Sequence, residues 1–477
     1  MIREVLVAVL LLASQVIPSK AQYVLTINDV DYDKETFEIS NYKWPEAGRK
    51  SIVVPSELDG NPVKSIGLLC FFCHKSVVPD TSDYLTSVVI SEGVESVGDF
   101  AFMGNNITSL SLPSSLRSIG QDAFRLACSL PRLDLPSSVE YLGTGAFFGC
   151  HIRSLTLSPN TEVIPSECFA GNLLECVNIP DGVRRIATHA FHSNRIKAIS
   201  IPASVSYLSG FQLNQIESID IPGTVSAIGS YAFADNPLTS VNICQGVDSI
   251  LDGAFTDTTI DGILSDVVQL QTISIPSSVV YIGVKAFAHV HALQSVTFSD
   301  GLRRIDSMAF MHCGFSSVSL PPSLSVVGSG AFALCTSLAH VNFAEGLVEI
   351  CGDAFKLANL SEVSLPNSLM KIGANAFHFA SDGFISLPSC GGRKTWSAFD
   401  GENLVTDAAE SINGKVGPTA SYSYVATLAG DVESVASMPV SSAPGGVFDL
   451  AGRRLERRPS LGFLGRMGRR GDVVVVR

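Results

Sequence analysis

A phenylalanine preceded by alanine or a close substitute returns fourteen times between Phe71 and Phe377, and eleven of the thirteen intervals are 20 to 23 residues. The two longer intervals hold insertions around Val77 to Asp83 and Thr256 to Val267. Ahead of each phenylalanine lies a short alternating run such as LTSVVIS, LPRLDLP, IESIDIP or LSEVSLP. Counted from the central apolar residue of that run, the phenylalanine follows at 14 residues in twelve of fourteen cases. A fixed period changes the meaning of every local motif, because each unit is one supersecondary element that cannot bury its apolar side alone and must stack on its neighbours.

The unit reads roughly L-x-S-V-x-I-P-x-S-V-x-x-I-G-x-x-A-F-x-x-C/N. Its alternating, β-branched start predicts a half-buried strand ended by the proline. The glycine of the IG pair predicts a turn, under which Ala-Phe packs. The predicted fold class is α/β to mainly β: a right-handed solenoid of about fourteen units with a parallel sheet on one face. Fifteen strands, from Ile52 to Ile385, at ~4.8 Å spacing would make a sheet on the order of 70 Å long. One domain thus replaces the two to four that 477 residues would otherwise suggest.

The first residues, MIREVLVAVLLLASQVIPSKAQ, combine Arg3, an apolar run from Val5 to Leu12 and a small-x-small pattern at Ser19 to Ala21. This is a secretory signal peptide over 1–21, with an apolar run too short to span a bilayer. No later stretch is apolar over near twenty residues, so a membrane-spanning protein is not expected. The chain carries −13; residues 1–21 hold a net +1 (Arg3, Lys20, Glu4), which leaves −14. Residues 443–477 hold eight arginines against three acids, so residues 22–442 carry −19. An acidic body disfavours nucleic acid as a partner.

Three residues after the repeat phenylalanine stand Cys150, Cys313 and Cys335, but also Asn172, Asn194 and Asn236. A metal or redox site does not exchange thiol for amide, whereas a buried turn needing a small backbone-binding side chain accepts either. The cysteine is therefore read as structural. The GSGAFA glycines fall at ordinary repeat stations. Cys70 and Cys73 form a CxxC by letter, open to a local disulfide in an exported protein. His289 and His312, each two residues past its phenylalanine, should be neighbours with His291 close by. No carboxylate completes a zinc set with them, so they are read as turn residues, with no metal and no other cofactor. No HExxH, GxSxG or P-loop pattern occurs, and no enzyme is expected.

With these units laid out, the chain resembles the BspA-like branch of leucine-rich repeat proteins over about residues 23 to 388. The resemblance implies a secreted or cell-surface protein used for adhesion to host proteins, other cells or matrix. It also suggests that YVLTIND and TFEIS pair as a capping hairpin. The C-terminal GGVFDLAGRRLERRPSLGFLGRMGRRGDVVVVR resembles a type IX-like sorting signal of Gram-negative bacteria; a small basic β module is the alternative. The expected organisation is 1–21 signal peptide, 22–50 N-terminal β cap, 51–388 solenoid, 389–442 cap and linker, and 443–477 tail.

The central column of the strand face is small and polar, without aromatic anchors. Charge gathers beside it at Arg132, Arg153, Glu175, Lys197 and Glu217, and these, with Asp134 and Asp220 of the column itself, are the expected contact residues for a protein or glycan partner. Alternatives are a periplasmic or surface accessory protein recognising polysaccharide, and a structural protein of the envelope. Neither the ligand nor the oligomeric state follows from the sequence.

Overall fold

The computed structural model describes residues 22–44, 49–73, 84–260, 263–264, 267–378, 384–388, 394–400, 403–404, 415–416 and 423–428. The predicted signal peptide, the first insertion, parts of the second, much of the predicted cap and linker, and the basic tail lie outside the described residues. Among the described residues every regular element is a strand and none is a helix, so of the two predicted classes the all-β one holds.

Each turn of the solenoid has three sides. The first carries the predicted L-x-x-V-x-I strand, paired in parallel and in register: Ser87↔Ser51 and Val88↔Ile52, then Leu110↔Val88, and Leu133↔Leu155. This ladder is discontinuous. It breaks into one four-stranded piece, several pairs and a three-stranded end piece, and residues 175–179 and 197–201 form no strand.

The long sheet is on the second side, where the sequence reading placed only a turn. The S-V-x-x-I-G segment contributes a two-residue strand per unit. These strands pair in parallel within a six-stranded sheet ending at Tyr141–Leu142 and a thirteen-stranded sheet starting at Val163–Ile164, whose outermost strands come from the two ends of the chain. Its glycines are not there for an unusual φ. They permit close approach of adjacent turns: a Cβ at Gly143 would lie 2.3 Å from the Gln121 backbone nitrogen, and one at Gly328 2.6 Å from the Asp306 carbonyl carbon. The left-handed conformation falls instead two residues before the phenylalanine, often on non-glycine residues such as Leu69, Asp122 and Met308 (φ 56°, 50° and 57°).

The third side is the Ala-Phe turn. The N–H of one repeat phenylalanine donates to the carbonyl at the alanine station of the next turn, as from Phe102 to Ala123 (2.7 Å), Phe147 to Cys168 (2.9 Å) and Phe233 to Ala254 (2.8 Å). The phenylalanine rings then stack through the core, with centroids 4.8 to 5.9 Å apart and planes within 14° of parallel from Phe71 to Phe377. Rings in successive turns at one station have no other lateral spacing available, because the inter-turn hydrogen bonds set it.

Both ends differ from simple repeats. YVLTIND and TFEIS do not pair with each other. Tyr23–Val24 runs parallel to Ile52–Val53, while Asp31–Asp33 pairs antiparallel with Glu38–Ser40, which in turn lies parallel to Ser65–Ile66. The N-terminal segment is thus an incomplete turn that covers both ladders. At the other end Ser423–Leu428 adds antiparallel to Lys371–Ile372 and pairs with Lys394–Asp400. Reversing strand direction presents a different edge to the outside and stops further parallel stacking. Buried Trp396 donates its indole N–H to the Pro388 carbonyl (3.0 Å), and the Lys394 ammonium caps the carbonyls of Asn367 and Leu369.

Candidate partner-binding surface

The charged residues singled out from the sequence all lie exposed on the first side. Two pairs among them engage each other, and others bond to neighbouring polar side chains. Arg132 Nε donates to Asp134 Oδ2 (2.6 Å), Thr156 Oγ1 donates to Asp134 Oδ1 (2.6 Å), and Asn242 Nδ2 donates to Asp220 Oδ1 (3.0 Å). Lys197 lies 3.5 Å from Glu175. Hydrogen bonds from Arg132 and Thr156 hold the Asp134 carboxyl below the usual carboxylate range. The strand register puts Arg132 beside Ser154, so Arg153 stands one position away, in the row of Glu175, Lys197 and Glu217. Such exposed pairs hold their charges largely satisfied and add little to stability.

The second side offers a different chemistry. The outward residue of each two-residue strand forms a column in which Tyr141, Val163, Arg185 and Tyr207 follow one another in four successive turns. Tyr141 is 59% and Val163 44% exposed. The Arg185 guanidinium lies over the Tyr207 ring, 4.0 Å from its centroid, and its Nη1 is buried with no hydrogen-bond partner. A planar guanidinium held on an aromatic face is a preorganised group of the type that recognises polar ligands.

Beside this column the sheet opens. Elsewhere the residue after the inward isoleucine or leucine donates its N–H across to the preceding turn, as from Gly120 to Val97, Gly143 to Ile119 (2.8 Å each) and Ala187 to Ile164 (2.9 Å). Proline occupies that station at Pro165 and has no N–H to give. The ladder is interrupted there, which is why the six- and thirteen-stranded sheets are separate. The seam is a cleft of about 710 Å³ lined by Tyr141, Leu142, Thr144, Asn160, Val163 and Pro165, with Glu140 and Glu162 at its rim. Arg117 and Arg184 lie 3.2 and 4.0 Å from those two carboxylates.

Neither feature was drawn from the sequence, although its signal is there: the position before the isoleucine of each IG pair carries Tyr141, Tyr207 and Tyr281, and the glycine station carries one proline. Recognising them requires knowing that S-V-x-x-I-G is a strand.

The cysteine stations are structural in detail. Cys150, Cys313 and Cys335 donate from Sγ to the carbonyls of Phe124, Phe287 and Phe310 at 3.0, 3.2 and 3.1 Å. Asn172 and Asn194 give Nδ2–H to the matching carbonyls of Phe147 and Phe169 (3.0 and 2.9 Å). Cys70 and Cys73 are both buried and are not bridged to each other. Burial pushes the Cys335 thiol up to about 12, far from a nucleophile's range.

No helix among the described residues is long and apolar enough to cross a membrane. No curated protein matches the chain. Solved structures similar in fold include a leucine-rich repeat protein from Bacteroides ovatus ATCC 8483, at 20% identity over 72% of this chain and 95% of that one (TM-score 0.47). Another, from Eubacterium ventriosum ATCC 27560, is 19% identical over 71% and 87% (TM-score 0.41). A leucine rich cell surface protein from Faecalibacterium prausnitzii A2-165 is 21% identical over 70% and 85% (TM-score 0.35). The BspA type leucine rich repeat region matches in 6 copies, over residues 38–175, 146–261 and 261–382, which is most of the chain. The chain belongs to the BspA-type leucine-rich repeat family.

Proposed function

We propose that the protein is an exported, surface-exposed recognition module that catalyses nothing and holds a protein or glycan partner on its repeat faces. The observation that carries this reading is the Tyr141 to Tyr207 column beside the Pro165 seam. There, exposed aromatic and apolar surface adjoins a guanidinium held over a tyrosine ring and a cleft. Tyrosine and arginine are the residue types that dominate binding hot spots, and a tyrosine face also suits the apolar face of a sugar ring. The charged row of Arg132, Asp134, Arg153, Glu175, Lys197, Glu217 and Asp220 is the second contact surface of this reading, suited to steering a partner more than anchoring it.

Export rests on the signal-peptide pattern of residues 1–21, and surface display in a Gram-negative cell on the resemblance of residues 443–477 to a sorting tail. Membership of the BspA-type family supports the same placement.

The test is a panel of immobilised matrix proteins and an array of glycans probed with the full chain, with Tyr141→Ala and with Pro165→Ala. Alanine at 165 restores the N–H that the neighbouring turn has at Ala187 and should close the seam. Saturable binding that weakens at least tenfold in both variants is the expected result. Binding unchanged in both, or lost only when Arg153 and Lys197 are replaced by alanine, moves the site to the first side and sinks the aromatic assignment.

A further inference from the structure

We propose that His289, His291 and His312 form a binding site for one late first-row divalent ion of the zinc type, clipped across two adjacent turns. His289 and His312 stand at one station in turns whose phenylalanines, Phe287 and Phe310, stack 5.1 Å apart with parallel planes. Their backbones are held: the N–H of His289 donates to the Met311 carbonyl (2.8 Å), that of His312 to the Ala333 carbonyl (2.9 Å), and both residues are left-handed, with φ of 64° and 61°. His291 is brought to them by a close approach of chain to chain. Its carbonyl faces Gly314, where a Cβ would be only 2.3 Å away. The His291 and His312 rings consequently meet at 4.4 Å, edge to face, with His289 at 6.4 and 5.7 Å from them.

One ring nitrogen from each histidine lies within 4.8 Å of the other two, and all three side chains are half-buried. Nitrogens bound tetrahedrally at ~2.0–2.1 Å from zinc sit ~3.4 Å apart, a contraction that side-chain rotation supplies without moving the backbone. His289 Nδ1 is buried and makes no hydrogen bond. A polar atom left so is costly unless something outside the chain takes it. The fold itself asks for no imidazole here, since the same station holds Leu126, Leu213, Leu334 and Leu357 in other turns. An all-imidazole set selects zinc, copper or nickel over calcium and magnesium, and three protein ligands leave room for water or an outside donor.

The sequence reading set these residues aside because no carboxylate joined them. The structure adds that one nitrogen of each ring lies within 4.8 Å of the other two and that His289 Nδ1 is buried without a hydrogen bond.

The full chain, stripped with chelator, should take up one zinc ion per molecule when titrated with zinc chloride, with micromolar or tighter affinity by calorimetry and with a rise in Tm. His312→Leu places at the station a residue it holds elsewhere, and His291→Gln keeps a polar side chain. Each should weaken binding at least tenfold. His189→Leu, in the separate His189 and His192 pair whose rings lie 5.1 Å apart, should leave it unchanged. Absence of saturable binding by the unmodified chain, equal binding by both site variants, or loss with His189→Leu would each overturn the proposal.

Discussion

Asn172 shows why one station takes two residue types and why the exchange is not symmetric. Its Nδ2 donates to the carbonyls of Phe147 and Phe169 (3.0 Å each), and its Oδ1 accepts from the Ile152 N–H (2.9 Å). Cysteine donates as Asn172 does but accepts poorly. At Cys150 the matching N–H, from Leu130, is taken by the Cys150 backbone carbonyl instead (3.2 Å). Cys150→Asn should therefore fold with a stability change under about 1 kcal/mol, while Asn172→Cys strands the Ile152 N–H and costs about 1–3 kcal/mol. Urea unfolding of the two variants measures this difference; equal costs would contradict the unequal roles. The exchangeability was legible in the sequence because one offset from phenylalanine carried both types. Its asymmetry was not, because which turn's N–H reaches the side chain depends on the backbone path.

Among the elements, the second sheet gains cohesion from groups that reach between turns. Tyr281 OH donates to Asp306 Oδ2 (3.0 Å), the Ser307 N–H donates to Oδ1 (2.8 Å), and Arg304 Nη2 lies 3.2 Å from Oδ1. Burial alone would raise the Asp306 carboxyl, but Arg304, Ser307 and Tyr281 together hold it below its ordinary range. A carboxyl depressed in the folded state adds stability that is present above its unfolded value, 3.8, and is lost as pH falls through the folded value. Asp306→Asn should then lower stability near pH 7 by about 1–2 kcal/mol, a figure restrained by the solvent that reaches Arg304. The gap to the unmodified chain should narrow below pH 3.8, and a gap constant from pH 7 to 3 would count against the assignment. This sheet escaped the sequence reading for a physical reason. A strand of two residues has one inward and one outward side chain, which is too short to show alternation, and its pairing comes entirely from the turns on either side.

At the scale of the molecule, each turn touches only its neighbours, so stability is a sum of turn and interface contributions. Phe211 stacks on both Phe191 (5.3 Å) and Phe233 (5.7 Å) and is fully buried; Phe377, the last of the repeat phenylalanines, stacks on Phe355 and is 7% exposed. Phe211→Ala should cost about 3–5 kcal/mol and divide unfolding into two transitions, one for each side of the break. Phe377→Ala should cost less and loosen only the last turns, as read by hydrogen exchange. A single unchanged transition for both variants would show that the stack unfolds as one unit. By itself the sequence determined the repeat, its period, the buried phenylalanine column and the interchange at the cysteine station, because these are set by spacing along the chain and by burial. Only the tertiary structure decided that the longer sheet lies on the S-V-x-x-I-G side, that Pro165 opens it, and that three histidines from two turns converge. Those features depend on hydrogen bonds and close approaches between residues about one turn apart, and it is the stacking that brings such residues within reach.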